Sequence, residues 1–153
     1  MKTKTSLYVL IILLGLLVVG AIFGGGALII SPTGELLKMP LSNLGSSPFK
    51  DFLVPGIILF SILGIIPAIL IFALIKRPKC RICESLNFFK DMHWAWSFCI
   101  YVAFALIIWI HVEVLFLQTV IWVHTFYIIY ALVMIFITLL PRIRIQYKKE
   151  DTV

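Results

Sequence analysis

Residues 94–140 read WAWSFCIYVAFALIIWIHVEVLFLQTVIWVHTFYIIYALVMIFITLL and contain a single charged side chain, Glu113. A helix needs about 20 apolar residues to cross the hydrocarbon core of a membrane. This stretch is therefore long enough for two crossings and must reverse direction within itself. We predict a tight hairpin at its midpoint, Leu117-Gln118-Thr119, although neither Gly nor Pro marks the turn. A wider loop that reaches back to His111 is the alternative.

Two further apolar stretches, residues 7–30 and 53–75, are each long enough for one crossing. The chain is 62% hydrophobic and only 13% charged, whereas soluble domains carry about 25% charged residues, so most of its surface must face lipid. We predict an all-α transmembrane four-helix bundle, one membrane domain with helices at about 7–30, 53–75, 94–117 and 119–140. The first stretch exceeds the roughly 7–15 residues of a signal-peptide core and lacks a clear A-x-A site, so we expect an uncleaved helix.

Basic residues flank the apolar stretches asymmetrically. Eleven of them precede the first stretch, separate the second from the third, or follow the fourth: Lys2, Lys4, Lys76, Arg77, Lys79, Arg81, Lys90, Arg142, Arg144, Lys148 and Lys149. Only Lys38 and Lys50 lie elsewhere. The positive-inside rule then predicts cytoplasmic N- and C-termini and a cytoplasmic loop at 76–93, in a multi-pass protein of the cell membrane.

The net charge of +6 is thus read as a topology signal, with no nucleic-acid partner expected. Four basic residues next to the second stretch would also attract anionic lipid headgroups: Lys76, Arg77, Lys79 and Arg81. Aromatic residues fit the same orientation, since amphipathic rings prefer the membrane interfaces. We place Tyr8, Trp94, Trp96 and Tyr147 at the inner interface and Trp109 and Trp122 toward the outer one.

The outer segment at 31–52 reads SPTGELLKMPLSNLGSSPFKDF, and its four charges sum to zero. Its leucines predict a structured loop, either a short interfacial helix or a folded cap, and Pro40 disfavours one long helix. Ser47-Pro48 has the chemistry of a helix start, with Ser47 as N-cap. Asp51 is placed to favour the positive end of the second helix.

Small residues predict how the first two helices pack. Gly20 and Gly24 in the first stretch, and Gly64 and Ala68 in the second, each recur at a spacing of four. Such spacing lets helix backbones approach closely in lipid, so we expect a close pair or, alternatively, a homodimer contact. Pro67 lacks a backbone donor and should kink its helix near Gly64.

Three motifs in the first half of the chain carry a resemblance. They are Pro32-x-Gly34 in the outer turn, Ser47-Pro48-Phe49 before the second helix, and Pro55-Gly56 within it. With HWAW at the start of the third helix, they resemble a group of uncharacterised small bacterial four-helix integral membrane proteins. The resemblance implies the four-helix architecture and a bacterial inner membrane, and it supplies no activity. The chain departs from the group's pattern at Cys80 and Cys83 and lacks a glycine near the last hairpin.

Glu113 is a candidate functional residue, because an ionised carboxylate in hydrocarbon is costly. It lies about 7 Å below the predicted hairpin tip, so the competing interpretation is a side chain that reaches the headgroups. His111 and His124 flank the turn at matching distances, Gln118 shares the face of His111, and Tyr127 lies one turn from His124. These side chains would form a polar cluster, but His111 and Glu113 are about 200° apart on a helix and cannot share a face. The competing interpretation is interhelical hydrogen bonding.

Cys80 and Cys83 form a lone C-x-x-C in the loop that we place in the cytoplasm, where no structural disulfide is expected. His93 could add a third metal ligand, but nothing supplies a fourth, so the metal candidate Cys80, Cys83 and His93 is weak. The neighbouring basic residues would make the thiols more reactive. Cys99 is expected to pack as a small apolar residue, and Asp91 to N-cap the third helix.

No catalytic or cofactor motif stands out, so we expect a protein that is not an enzyme and carries no cofactor. The first hypothesis is an interaction or accessory role in the cell envelope, with a membrane-protein partner or a homo-oligomer. The second is a small oligomeric transporter or channel subunit that uses Glu113 with His111 and His124. The third is a cytoplasm-facing thiol or metal protein that uses Cys80 and Cys83.

Overall fold

The computed structural model describes residues 3–149 and shows four long helices. They are α1 (Thr3–Ile30), α2 (Leu53–Lys76), α4 (Trp94–Leu117) and α5 (Trp122–Leu139), with the shorter α3 (Arg81–Ser85) and α6 (Pro141–Tyr147) beside them. Each long helix is apolar enough to cross a membrane. The all-α prediction with four candidate membrane crossings is therefore confirmed. Lys2, one of the basic residues used for orientation, lies outside the described residues.

The long helices form a ring in which each packs against its neighbours in sequence and α5 returns to α1. The shared core contains fully buried side chains from all four of them, among them Leu14, Leu70, Ala103 and Met134. Around this core, about half of the remaining large apolar side chains of the long helices are exposed and the rest are partly buried. That distribution suits a bundle whose outer solvent is lipid.

The last hairpin turns where the sequence predicted. α4 ends at Leu117, and Gln118 adopts a left-handed conformation with φ of 52° that reverses the chain. The alternative turn at His111 is wrong, because α4 runs on for six residues beyond it. The fourth helix begins at Trp122, three residues later than predicted, since Ile121 is its extended N-cap.

Helices α1 and α2 approach most closely at Gly25 and Gly56. A β-carbon on Gly25 would stand 2.7 Å from the Phe60 amide nitrogen, and one on Gly56 would stand 2.8 Å from Leu28 Cβ. The predicted close pair is thus present, with Gly64 also against α1. Ala68, however, is exposed, so the predicted Gly64–Ala68 pair is wrong as the contact motif.

A π-helical segment, Leu59–Ile65, interrupts α2 directly before Pro67. Proline has no N–H to donate to the carbonyl one turn earlier. The predicted disturbance near Gly64 therefore takes the form of a wider helical turn.

The segment between α1 and α2, here called the cap (residues 31–52), is folded onto the bundle. It contains two 3₁₀ turns, Glu35–Leu37 and Leu41–Leu44. Leu44 and Phe52 are buried against Leu28 of α1. Of the two predicted forms of this segment, the structure shows the folded cap.

The start of α2 differs from the prediction. Ser47 accepts a hydrogen bond from the Phe49 amide in a local turn (3.2 Å), and α2 begins only at Leu53. Pro48 is therefore not the first helical residue. Asp51 accepts from the Leu53 amide at 3.0 Å, which places its carboxylate at the positive end of the helix, as expected.

The opposite end of the bundle, here called the terminal end, carries α3, α6 and the start of α4. Three aromatic residues that we placed at the inner interface, Trp94, Trp96 and Tyr147, are buried and hydrogen-bonded to backbone carbonyls, so their rings face the protein interior and not the lipid headgroups. Trp94 donates to the Pro78 carbonyl (2.9 Å), Trp96 to that of Thr138 (2.8 Å), and the Tyr147 hydroxyl to that of Leu74 (2.6 Å). Each of these bonds joins two separate segments of the chain. Tyr8, the other residue assigned to this interface, is exposed, as is Trp122 at the cap end.

Candidate functional site

Glu113 lies on α4 one turn before the hairpin, and its side chain lines two cavities at the cap end. The first, here called the central cavity, has a volume of about 430 Å³ and is walled by all four long helices. The second, here called the side groove, has a volume of about 360 Å³ and lies between α2 and α4. Both volumes fall in the range of roughly 300–1,000 Å³ that is usual for ligand pockets.

The two cavities share one wall. Trp109 and Glu113 lie one turn apart on α4 and line both cavities, together with Leu63 of α2 and Met39 of the cap. Because they share this wall, a ligand that reaches Glu113 from one cavity lies next to the other. Glu113 is half-buried, so its carboxyl group can contact either cavity.

The central cavity is the more polar of the two. Besides Glu113, it is lined by Asn43 of the cap, Thr119 of the hairpin, and His124 and Tyr127 of α5. His124 is buried, and its Nδ1 atom accepts a hydrogen bond from the Ile121 amide at 3.2 Å. In neutral His124 the ring proton must therefore be on Nε2, which makes that atom a donor.

Among the described residues that line the side groove, only Glu113 and the indole of Trp109 carry polar side-chain atoms. The rest of the lining is apolar and comes from α2, α4, Leu28 of α1 and the cap, which contributes Phe49 and Phe52. Phe49 packs edge-to-face on Phe116 of α4, with ring centroids 5.9 Å apart. The cap is thus part of both cavities.

The predicted polar cluster is only partly assembled. The structure brings Glu113, His124 and Tyr127 to the central cavity. His111 is exposed on another face of α4, and exposed Gln118 donates to the Leu115 carbonyl. The helical offset between His111 and Glu113 explains this outcome, because only one of them can face the bundle. The sequence analysis did not predict two further polar residues of the central cavity, Asn43 and Thr119. Asn43 lies far from Glu113 in the sequence, and Thr119 lies within the hairpin.

The predicted thiol and metal site has a different arrangement. Cys80 and Cys83 are joined in a disulfide, so the expectation of no disulfide is wrong in this structure. Cys80 precedes α3, and the helical turn brings the two Cα atoms to 5.2 Å, within the range that a disulfide spans. His93 instead accepts from the Ala95 amide as the N-cap of α4. Among residues 3–149, no three His, Cys, Asp or Glu side chains are grouped to hold a metal ion.

Ion pairs and hydrogen bonds at the terminal end centre on Glu84. Its carboxylate accepts from Lys149 at 2.6 Å, from Asn87 and from the Trp94 amide. Burial alone would raise the pKa of Glu84, but these hydrogen bonds, that of Lys149 foremost, lower it below the ordinary value. Asp91, predicted to cap α4, instead faces Arg144 at 3.9 Å.

Of the four basic residues predicted to meet lipid headgroups, Arg77 contacts an aromatic ring of the protein. The Arg77 guanidinium lies 4.6 Å from the centre of the Tyr147 ring, a cation–π contact. Burial raises the pKa of Tyr147, and Arg77 partly offsets that rise. Lys79, Lys76 and Arg81 are exposed, and their contact with headgroups stays a prediction.

No protein-family model, no curated protein and no solved structure matches the chain.

Proposed function

We propose that this multi-pass membrane protein has a non-enzymatic binding role in the cell membrane and that it holds its ligand at the cap end, around Glu113. The observation that carries the proposal is that Glu113 lines both the central cavity and the side groove. An ionisable side chain within a membrane-spanning helix is energetically costly, and such residues are usually functional. Polar groups that converge in a largely apolar pocket are the usual form of a ligand site.

The cavities support a binding site better than a conduit through one copy of the chain. Both lie in the half of the bundle nearest the cap. Toward the terminal end, the described helices are filled by buried apolar side chains, among them Leu14, Leu70 and Met134. A transporter would need a second copy or a large rearrangement to open a path there. A binding or accessory role needs neither.

We further propose that the cap faces the outside and that both termini and the 76–93 loop face the cytoplasm. In the sequence, eleven of the thirteen basic residues precede the first apolar stretch, separate the second from the third or follow the fourth, and only Lys38 and Lys50 belong to the cap. The test uses a cysteine-free background and a membrane-impermeant maleimide on intact cells. Exposed Ser46 of the cap and exposed Ser85 of α3 are each replaced by cysteine. Labelling of Ser46→Cys alone is expected, and labelling of Ser85→Cys alone would reverse the orientation.

The binding role is tested by native mass spectrometry on the full chain extracted from its own membrane in mild detergent. Wild-type protein is expected to retain one non-protein adduct per chain, and Glu113→Leu to lose it. Glu35→Leu is the matched control, because Glu35 is an exposed carboxylate of the cap that lines neither cavity. No adduct on the wild type, or equal retention by both variants, would refute the proposal.

A further inference from the structure

We infer that the ligand at Glu113 is a single membrane lipid with an uncharged, hydroxyl-bearing head, held with its head in the central cavity and an acyl chain in the side groove. The inference rests on the proposed binding role and names the class of ligand. It is carried by two cavities of different polarity that meet at one carboxyl group.

The shape and lining of the site match an amphiphile. On one side of Trp109 and Glu113, the central cavity offers His124 and Tyr127 as hydrogen-bonding groups. On the other side, the lining of the groove beyond Glu113 and the Trp109 indole is apolar. A small polar ligand would leave the groove unfilled, and a wholly apolar ligand would leave the polar groups without partners, which is costly when they are buried. A molecule with a polar head and an apolar chain satisfies both.

The side groove gives such a molecule a route from the bilayer. Ile62 of α2 and Ile108 of α4 line the groove and are 39% and 62% exposed on the outside of the bundle. On a membrane-spanning helix, side chains exposed in this way face the acyl chains of the lipid. A chain can therefore enter between α2 and α4 without leaving hydrocarbon.

The residues that line the two cavities also indicate that the head of the ligand is uncharged. Within residues 3–149, neither cavity is lined by lysine or arginine. A phosphate or carboxylate head would find no cationic partner and would lie next to the Glu113 carboxyl group. A head of either charge would also lose its water on passing the apolar groove, at a cost far above that of a hydroxyl group. An uncharged hydroxyl, by contrast, can donate to Glu113 and accept from Nε2 of His124.

The test measures binding to the delipidated full chain in detergent by native mass spectrometry. The probe is dioleoylglycerol, which has an uncharged head. Dioleoyl phosphatidylglycerol adds a negative charge, oleylamine a positive one, and glycerol has no chain. We expect dioleoylglycerol to bind at one copy per chain, at least about tenfold more tightly than the other three probes.

Two alanines provide a matched pair of groove variants. Ala105 lines the side groove, whereas Ala68 is exposed on α2 away from both cavities. Ala105→Phe should fill the groove and weaken dioleoylglycerol binding about tenfold or more, and Ala68→Phe should leave it unchanged. A diazirine-bearing diacylglycerol, which needs no variant, should crosslink to wild-type protein at Ile62 or Ile108.

The outcomes separate the inference from the binding role. If Glu113→Leu loses the native adduct but glycerol binds as well as dioleoylglycerol, the lipid assignment is overturned and the binding site stands. If either charged lipid binds more tightly than dioleoylglycerol, the assignment of an uncharged head is refuted. Equal effects of Ala105→Phe and Ala68→Phe, with crosslinks away from α2 and α4, would refute the placement of the acyl chain in the side groove. An adduct that Glu113→Leu leaves unaffected would instead refute the proposed binding role itself.

Discussion

The backbone contact between α1 and α2 can be tested by a single methyl group at Gly25. An alanine β-carbon there would stand 2.7 Å from the Phe60 amide nitrogen and 2.9 Å from the Gly56 carbonyl oxygen. Ordinary van der Waals contacts of a β-carbon begin at 3.4 Å. Because the blocking atoms belong to the backbone, no side-chain rotation relieves the clash, and the helices must part by about 0.7 Å at this point.

The magnitude follows from a comparison with Gly15 on the same helix. A β-carbon on Gly15 would meet nothing within 4 Å. Both Gly→Ala changes gain the same helix propensity, about 0.5–1 kcal/mol, so that gain cancels between them. The remaining difference is the cost of overpacking, typically about 1–3 kcal/mol. Gly25→Ala should therefore be less stable than Gly15→Ala by that amount.

The assay is reversible unfolding of the full chain in mixed micelles by increasing sodium dodecyl sulfate, followed by tryptophan fluorescence. Gly24→Ala is a second control, because its β-carbon would meet Leu59 at an ordinary 3.6 Å without overpacking. The free energies of unfolding of Gly15→Ala and Gly24→Ala should therefore be similar, and that of Gly25→Ala should be lower than both. Equal free energies for Gly15→Ala and Gly25→Ala would refute a backbone-to-backbone contact at this position.

Two further predictions concern the terminal end. Trp96→Phe removes the indole donor from the buried Thr138 carbonyl and should lower the free energy of unfolding by about 1–3 kcal/mol. Trp122→Phe, at a side chain that is 77% exposed, should lower it little, and similar losses for both would contradict the role given to this bond. Glu84→Gln weakens the contact with Lys149, which is partly exposed, so the loss at pH 7 should stay below about 1 kcal/mol. Because the pKa of Glu84 is lowered from its ordinary 4.5, the wild-type advantage should be present above that pH and disappear as the pH falls further below it. An advantage that grows on acidification would contradict this assignment.

The helices could be predicted because their signal is local. A membrane crossing needs only a long apolar run, and the residues at 94–140 supply two of them with Gln118 at the reversal. The start of α2 was mispredicted because Ser47-Pro48 can cap a helix or form a local turn. Contacts of Leu44 and Phe52 of the cap with Leu28 of α1 favour the turn, and those contacts cannot be predicted from the segment alone.

The candidate site was predictable only in part for the same reason. Glu113 stands out in the sequence as the one charge in an apolar run. Which histidine lines the central cavity with Glu113 depends on the rotation of α4 and α5 about their axes. In the structure His124 lines the cavity and His111 is exposed. Trp94 and Trp96 of the terminal end, which we placed at the inner interface, are buried in the bundle. Sequence position gives the depth of an aromatic ring, but not whether the ring faces lipid or a neighbouring carbonyl.

The most direct test of the binding account is an experimental density map of the full chain in a nanodisc made from its native lipids. The account predicts one continuous elongated density per chain, with its polar end beside Glu113 and His124 in the central cavity and its chain between α2 and α4. A central cavity that holds only water, with lipid density confined to the outside of the bundle, would contradict it.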